Sequence, residues 1–373
     1  MNVKKMLTLT AVALVAAVLF SMPVCAVPET SAASAILIDG DTGAVLYSLN
    51  ADEPALIAST TKIMTAAVVL ERCDLQKLVE IPPEAVGIEG SSIYLQPGEH
   101  LTVEALLYGL MLHSGNDAAV ALALACSGSV QTFVELMNGK AAEWGLKDTS
   151  FANPNGLDSE DNHSTAADLA KMAMYALRNE NFRKIVSTKN IVIGGRHLSN
   201  HNKLLWSMEG AIGVKTGYTK AAGRILVSAA EQKGRRLIAV TINDGNDWHD
   251  HKSLYDYGFA QYTATACVRK GEVVARLPGL DGGTRPLVAG EDFTWAMAQE
   301  EQLRIRIAFP KLSYGGETPG ETAGWAELCL GERCIGTMPV LWGKERDFYE
   351  RANTEDHCLP GPVLAAGCGA APG

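Results

Sequence analysis

Two short apolar runs follow the first 34 residues of the chain. Ala35-Ile36-Leu37-Ile38 and Ala44-Val45-Leu46-Tyr47 are separated by Asp39-Gly40-Asp41-Thr42-Gly43, and that turn chemistry predicts a β-hairpin. From about residue 59 to 177 the apolar positions recur with helical spacing in Ala-, Leu- and Met-rich segments. Strand texture returns over residues 210–215, 224–230 and 236–243, the last two joined across Lys233-Gly234 as a second hairpin. A helix is expected over residues 248–262. Strands at both ends of a helical middle predict an α+β domain whose sheet is closed by the two ends of the segment.

Near Cys267 the helical periodicity is lost. Residues 268–277, 303–309 and 326–341 read as strands with Gly- and Pro-rich connections, which predicts a small β-rich domain over 266–345 behind a domain spanning 27–265. The tail, 346–373, ends in Pro, Gly and Ala and is expected to be disordered. At the other end, Lys4 and Lys5 precede an apolar stretch over 6–20, and Val24-Cys25-Ala26 offers small residues at a cleavage position. Residues 1–26 are therefore read as a signal peptide cut after Ala26, and the protein is expected outside the cytoplasmic membrane. An uncleaved anchor is the other reading of this segment. A lipoprotein fits it poorly, because Met22-Pro23-Val24 precedes Cys25.

Composition narrows the functional classes. The net charge is −10, and removal of the first 26 residues takes away two lysines and no acid, leaving −12. No cation cluster stands out, which argues against a nucleic-acid partner. Eight cysteines less Cys25 leave seven, so they cannot all pair within the chain. Cys329 and Cys334 flank the turn Gly331-Glu332-Arg333; a disulfide across it and two free thiols are both open. Cys73 and Cys126 sit in apolar helical contexts and read as buried thiols. No spacing suggests a zinc site.

Three short motifs carry candidate chemistry. Ser59-Thr60-Thr61-Lys62 opens the apolar helical segment that continues to Leu70. Positions i and i+3 share a helix face, so the Lys62 amine can reach the Ser59 hydroxyl. A serine needs a base to become a nucleophile, and burial beside a second cation would make Lys62 one. A lone Ser-x-x-Lys reads better as an N-cap serine with a snorkelling lysine. Ser114-Gly115-Asn116 lies between helical runs, where Ser114 can relay a proton to a leaving amine and Asn116 can hold Lys62 and a substrate amide. Lys215-Thr216-Gly217 ends a strand, with Gly217 leaving room for an extended peptide. Lys215 would be the second cation, and Thr216 and Thr219 would hydrogen-bond a terminal carboxylate.

In this order and spacing the three motifs resemble the penicillin-binding serine D,D-peptidases and their β-lactamase relatives. Phe151-Ala152-Asn153-Pro154-Asn155-Gly156-Leu157, His163-Ser164-Thr165-Ala166-Ala167-Asp168-Leu169 and Lys215-Thr216-Gly217-Tyr218-Thr219 look like the low-molecular-weight D-alanyl-D-alanine carboxypeptidases. The resemblance, running over residues 35–341, implies a β-lactamase/transpeptidase-like domain, an antiparallel sheet with helices on both sides, followed by the β-rich domain. It implies acyl transfer to Ser59, with Lys62, Ser114 and Asn116 catalytic and Lys215, Thr216, Gly217, Tyr218 and Thr219 binding substrate. The backbone N–H groups of Ser59 and Tyr218 would form an oxyanion hole. The implied substrate is a peptidoglycan stem peptide, β-lactams would be covalent inhibitors, and neither a cofactor nor a metal is implied.

Departures from the family pattern bear on recognition. Many relatives carry an arginine after the final core strand that helps to bind the substrate carboxylate. Here the region reads Asp247-Trp248-His249-Asp250-His251, closer to sporulation-type carboxypeptidases of Gram-positive bacteria. His249 and His251 are expected to be solvated rather than metal-bound. The tail lacks an amphipathic stripe, and Pro360 and Pro362 would break one, which leaves peripheral membrane association open. A class A β-lactamase would need a glutamate in a Glu-x-x-Leu-Asn-like loop, and only Glu160 lies between Asn153 and Asp168, without that context. A D,D-endopeptidase and a non-catalytic binder of cell-wall peptide are the remaining alternatives.

Overall fold

The structure is a computed structural model and describes residues 27–280, 282–298, 300–308 and 316–344. The segments read as a signal peptide and as a disordered tail lie outside the described residues.

A five-stranded antiparallel sheet organises the larger unit. Its strands are β1 (Ser34–Asp39), β2 (Val45–Leu49), β3 (Ala211–Thr219), β4 (Gly223–Gln232) and β5 (Arg235–Ile242), in the order β2-β1-β5-β4-β3. The first strand pairs with the last, Ser34 opposite Ile242, so the two ends of the unit meet at the centre of the sheet. Both faces are covered, which explains the near-continuous apolar runs. Along β1 and β5, Ile36, Ile38, Ile238, Val240 and Ile242 face the larger core, while Leu37, Leu237 and Ala239 face the other side. That alternation is the period of a strand.

Helices α1 (Lys62–Arg72), α2 (Val103–Leu112), α3 (Asn116–Ser127), α4 (Val130–Glu143), α5 (Ala166–Ala176) and α6 (Glu180–Ser187) supply the larger core. Their starts are marked in the sequence: Thr102, Ser129, Thr165 and Asn179 each cap the following helix with a side-chain oxygen. The stretch read as helical from 59 to 177 also contains a short ribbon, Leu78–Glu80 with His100–Thr102, and an irregular loop between its strands. Helix α7 (Asp247–Gln261) covers the opposite face of the sheet, burying Leu254 and Tyr255 against Leu37 and Ala239.

Strand texture then takes over. β6 (Tyr262–Val268) follows α7 without a break and pairs with β9 (Phe293–Ala298). β7 (Val273–Pro278), β8 (Thr284–Ala289), β10 (Leu303–Ala308), β11 (Thr322–Leu330) and β12 (Arg333–Trp342) form a second sheet in the order β7-β8-β12-β11-β10. The run 268–277, expected as one strand, is two, because the chain turns at Gly271 with φ 81°. The run 326–341 is a hairpin that turns at Gly331, with φ 58°. Strands β8 and β9 were not expected from the sequence. Cys329 and Cys334 stand directly opposite in the hairpin register, yet both are free thiols. Cys73 and Cys126 are free and half-buried.

Candidate active site

Ser59 lies on a single 3-10 turn, Ala58–Thr61, that feeds directly into α1. Residues i and i+3 eclipse in such a turn, so Lys62 stacks under Ser59, with Nζ 2.8 Å from Oγ. The turn is entered through Ala58 at φ 45°, a left-handed conformation that costs an L-residue about 1–2 kcal/mol. The loop that carries Asn155 and Gly156 lies directly against this turn. Gly156, at φ 85°, lies so close that a Cβ would sit 2.0 Å from the Ala58 carbonyl oxygen. The Asn155 carbonyl accepts a hydrogen bond from Lys62 Nζ, and Asn116 Oδ1 accepts another at 2.7 Å.

Lys62 is fully buried. Burial pushes its amine well below the ordinary lysine range, the neighbouring Lys215 charge pushes the same way, and Asp117 opposes both. A neutral amine has two N–H groups and one lone pair. The carbonyls of Asn116 and Asn155 match the two N–H groups, and the lone pair is left for the Ser59 proton. Lys215 is buried as well, pushed down to about 7 by that burial, and its Nζ donates to the Thr216 carbonyl at 2.8 Å.

Ser114 occupies the turn between α2 and α3 at φ 61°, and Asn116 is the first residue of α3. The Asn116 amide donates to the Glu89 carbonyl at 2.5 Å, and its backbone N–H to the Ser91 carbonyl at 2.7 Å. Asp117 accepts from the backbone N–H groups of Ile93 and Leu95, each at 3.1 Å, and from Ser92 Oγ at 2.6 Å. The start of α3 thereby fixes the loop that carries Ser91 into the wall of the site.

Ser59, Ser114, Thr216, Gly217 and Tyr218 line one cleft of about 470 Å³. Lys62, Asn116 and Lys215 are buried behind that wall. Thr219, expected on the carboxylate, is not part of it. Its hydroxyl donates to Asp158 at 2.8 Å and accepts the Ala222 N–H at 3.0 Å, since the strand turns into β4 at this point. Among the further residues that line the cleft, to which the motifs did not point, are His201, Lys203, Arg224, Asp247 and Trp248. Burial, with the Lys215 and His113 charges, pushes His201 down to about 4.

The two histidines of α7 part company. His249 is exposed, but His251 is fully buried rather than solvated. Its Nδ1 lies 2.6 Å from Ser228 Oγ and its Nε2 3.0 Å from Thr241 Oγ1, so both ring nitrogens are occupied by the sheet. Among the described residues no group of His, Cys, Asp and Glu side chains is arranged to hold a metal. Glu160 is exposed and does not reach the cleft.

The family model for D-alanyl-D-alanine carboxypeptidases, peptidase family S11, matches residues 22–246. The chain belongs to this family. It is 39% identical over 259 residues to the D-alanyl-D-alanine carboxypeptidase DacF of Bacillus subtilis, covering 66% of this chain and 67% of that one. It is 36% identical over 336 residues to DacC of Escherichia coli, covering 84% of each. The solved structure of penicillin-binding protein 5 from Haemophilus influenzae superposes with a TM-score of 0.74 at 29% identity, over 85% of this chain and 98% of that one. The carboxypeptidase thus has the transpeptidase-like fold, and its match to penicillin-binding protein 5 extends into the β-rich segment.

Proposed function

We propose that the protein is a serine carboxypeptidase that removes the terminal D-alanine from peptidoglycan stem peptides through an acyl-enzyme on Ser59. The observation that carries this reading is the 2.8 Å approach of a buried lysine amine to the Ser59 hydroxyl. Burial and the neighbouring Lys215 charge loosen the amine's hold on its proton, which makes Lys62 a better base, and here it has one hydroxyl to act on.

In this reading Ser59 Oγ attacks the carbonyl carbon of the penultimate D-alanine while its proton passes to Lys62. The backbone N–H groups of Ser59 and Tyr218 take the oxyanion. The tetrahedral intermediate breaks its C–N bond as the proton is delivered, through Ser114, to the leaving nitrogen, and D-alanine departs. Water then attacks the ester, Lys62 takes the water's proton and returns it to Ser59 Oγ as the C–O bond breaks, so the serine hydroxyl and the lysine amine are both restored. Asn116 holds Lys62 in place, Lys215 adds the second charge, and Thr216, Gly217 and Tyr218 line the peptide's path. β-Lactams acylate the same oxygen. The exposed position of Glu160 disfavours a β-lactamase. The substrate lies outside the cytoplasmic membrane, in keeping with an exported chain.

Replacement of Ser59 by Ala is expected to abolish both labelling by a fluorescent penicillin and release of D-alanine, a loss of about 10⁴-fold or more, in a protein that still melts cooperatively. Undiminished release from the folded variant would remove the assignment. Product analysis with a pentapeptide and a cross-linked muropeptide side by side is expected to favour the pentapeptide; preference for the cross-link would make the enzyme an endopeptidase.

A further inference from the structure

The hairpin that joins β11 to β12 carries two thiols at facing positions. Cys329 and Cys334 are register partners, one pair in from the Leu330–Arg333 pair that flanks the turn Gly331-Glu332. Directly opposed residues of an antiparallel ladder keep their Cα atoms about 4.5–5.5 Å apart and their side chains on one face. A disulfide spans about 4.4–6.8 Å between Cα atoms, so this pair can close without displacing the backbone. The register shifts between Leu328 and Cys329, and a covalent link at Cys329 would pin the ladder beside that irregularity.

Both thiols are free in the structure, and they differ in access: Cys334 is exposed, while Cys329 is fully buried. Arg304 stands opposite Cys329 on the neighbouring strand, and Arg306 pairs with Glu332 of the turn at 3.5 Å. Burial pushes the Cys329 thiol up, the Arg306 charge opposes that push, and the neighbouring Cys334 thiol adds to it. A thiol of this kind reacts slowly with reagents in solution, yet it faces a second sulfur across the ladder. An exposed thiol that can be attacked first, backed by a sheltered one that can displace what attacked it, is the arrangement that disulfide exchange requires.

We propose that Cys334 and Cys329 are a thiol–disulfide exchange site, at which a low-molecular-weight disulfide outside the cytoplasm oxidises the pair to a cross-strand disulfide. The Cys334 thiolate attacks one sulfur of the small disulfide. That S–S bond breaks, and the departing thiolate takes up the proton that Cys334 gave away. Cys329 Sγ then attacks Cys334 Sγ, and its proton goes to the second small thiolate as it leaves. Two protein thiols are oxidised and one small disulfide is reduced to two thiols, so electrons and protons balance. The site takes only its setting from the exported reading above, since a cytoplasm keeps such pairs reduced, and it is independent of the chemistry at Ser59. The loop that it closes is short, so the link constrains the unfolded chain little. What it fixes is the pairing of β11 with β12, which lie inside the second sheet rather than at its edge.

The full-length protein is incubated with oxidised or reduced glutathione, quenched with iodoacetamide, unfolded and digested with trypsin. Arg333 lies between the two cysteines, so cleavage after it leaves them on separate peptides that only a disulfide can join. The oxidised sample is expected to hold most of the pair as that joined species, and the reduced sample to hold two alkylated peptides. In Cys329→Ser the displacing thiol is gone, and Cys334 should accumulate as its mixed disulfide with glutathione at least about tenfold over the parent. In Cys334→Ser, Cys329 should resist both glutathione and iodoacetamide for as long as the protein stays folded by thermal melting. The parent's peptide map carries the test even where a variant does not fold. Three results overturn the proposal: both cysteines alkylated after oxidation, Cys334 of the parent held only as the glutathione adduct, or either cysteine joined to Cys358 or Cys368 instead.

Discussion

Two lysines share one buried corner, and Lys62 is the one hydrogen-bonded to the Ser59 hydroxyl. The sign of their coupling is testable. A charged Lys215 makes an ammonium at Lys62 less favourable, so Lys62 loses its proton at lower pH than burial alone would dictate. Replacing Lys215 by Met removes that repulsion and keeps the burial, so the Lys62 amine should hold its proton to higher pH. The acid limb of penicillin acylation plotted against pH is expected to move upward in Lys215→Met. Above about 7, where Lys215 sheds its own proton, the shift in Lys62 no longer depends on it. A limb that stays still or moves downward would refute the coupling. Gly156 offers a steric counterpart. A methyl group there meets the Ala58 carbonyl, which is backbone and cannot yield as a side chain would, and the φ of 85° is strained for alanine in any case. Gly156→Ala should slow acylation at least about tenfold and destabilise the fold by about 1–3 kcal/mol, read by stopped-flow labelling and thermal melting. Wild-type rates in this variant would show that the loop does not set the Ser59 turn.

At the scale of elements, α7 shows what a linear reading sees and what it misses. Its span was legible from the apolar spacing, but the burial of His251 was not, because that depends on Ser228 and Thr241 from two strands that lie above it. Burial pushes His251 down to about 3, far below the value of an exposed imidazole. The unfolded chain therefore binds a proton at this position at a pH where the native state does not, and the stability conferred is fully present above about 6.5 and declines as pH falls towards 3. Between pH 6.5 and 4.5 the fall in unfolding free energy should be shallower in His251→Gln than in the parent; identical slopes would argue that the ring is already protonated in place. The motifs of the site were readable for the opposite reason. Ser59 and Lys62 are a turn apart, and Ser114 with Asn116 and Lys215 with Thr216 are each local to one element end. Arg224 and Asp247 escaped because only strand register and helix docking bring them together. Strand β8 escaped because Pro286 argues against a ladder; it stands opposite Arg276 of β7 and at the end of the contact with β12, where its carbonyl accepts the Gly343 N–H at 2.9 Å.

Across the whole molecule, every residue assigned to the chemistry lies before α7 ends, and the β-rich segment meets the larger unit through a small apolar seam. Tyr262, Trp295 and Ala296 pack on Leu37, Leu46 and Tyr255, and the Tyr262 hydroxyl donates to the Leu46 carbonyl at 3.1 Å. A chain ending at Gln261 is expected to retain penicillin labelling at Ser59 and to melt several degrees lower, since each kcal/mol of lost burial moves the midpoint by about 2–4 °C at this size. Loss of labelling from a folded truncated protein would assign the β-rich segment a part in the chemistry. The sheet itself carries one more consequence. Because Ser34 finds its partner only at Ile242, the central ladder has a very long loop to close, and topologies of that kind fold slowly. A ribosome must deliver β5 before β1 has anything to pair with on that side. Half-made chains therefore lack the scaffold that aligns serine with amine, and reactivity arrives late, as a property of the finished polypeptide.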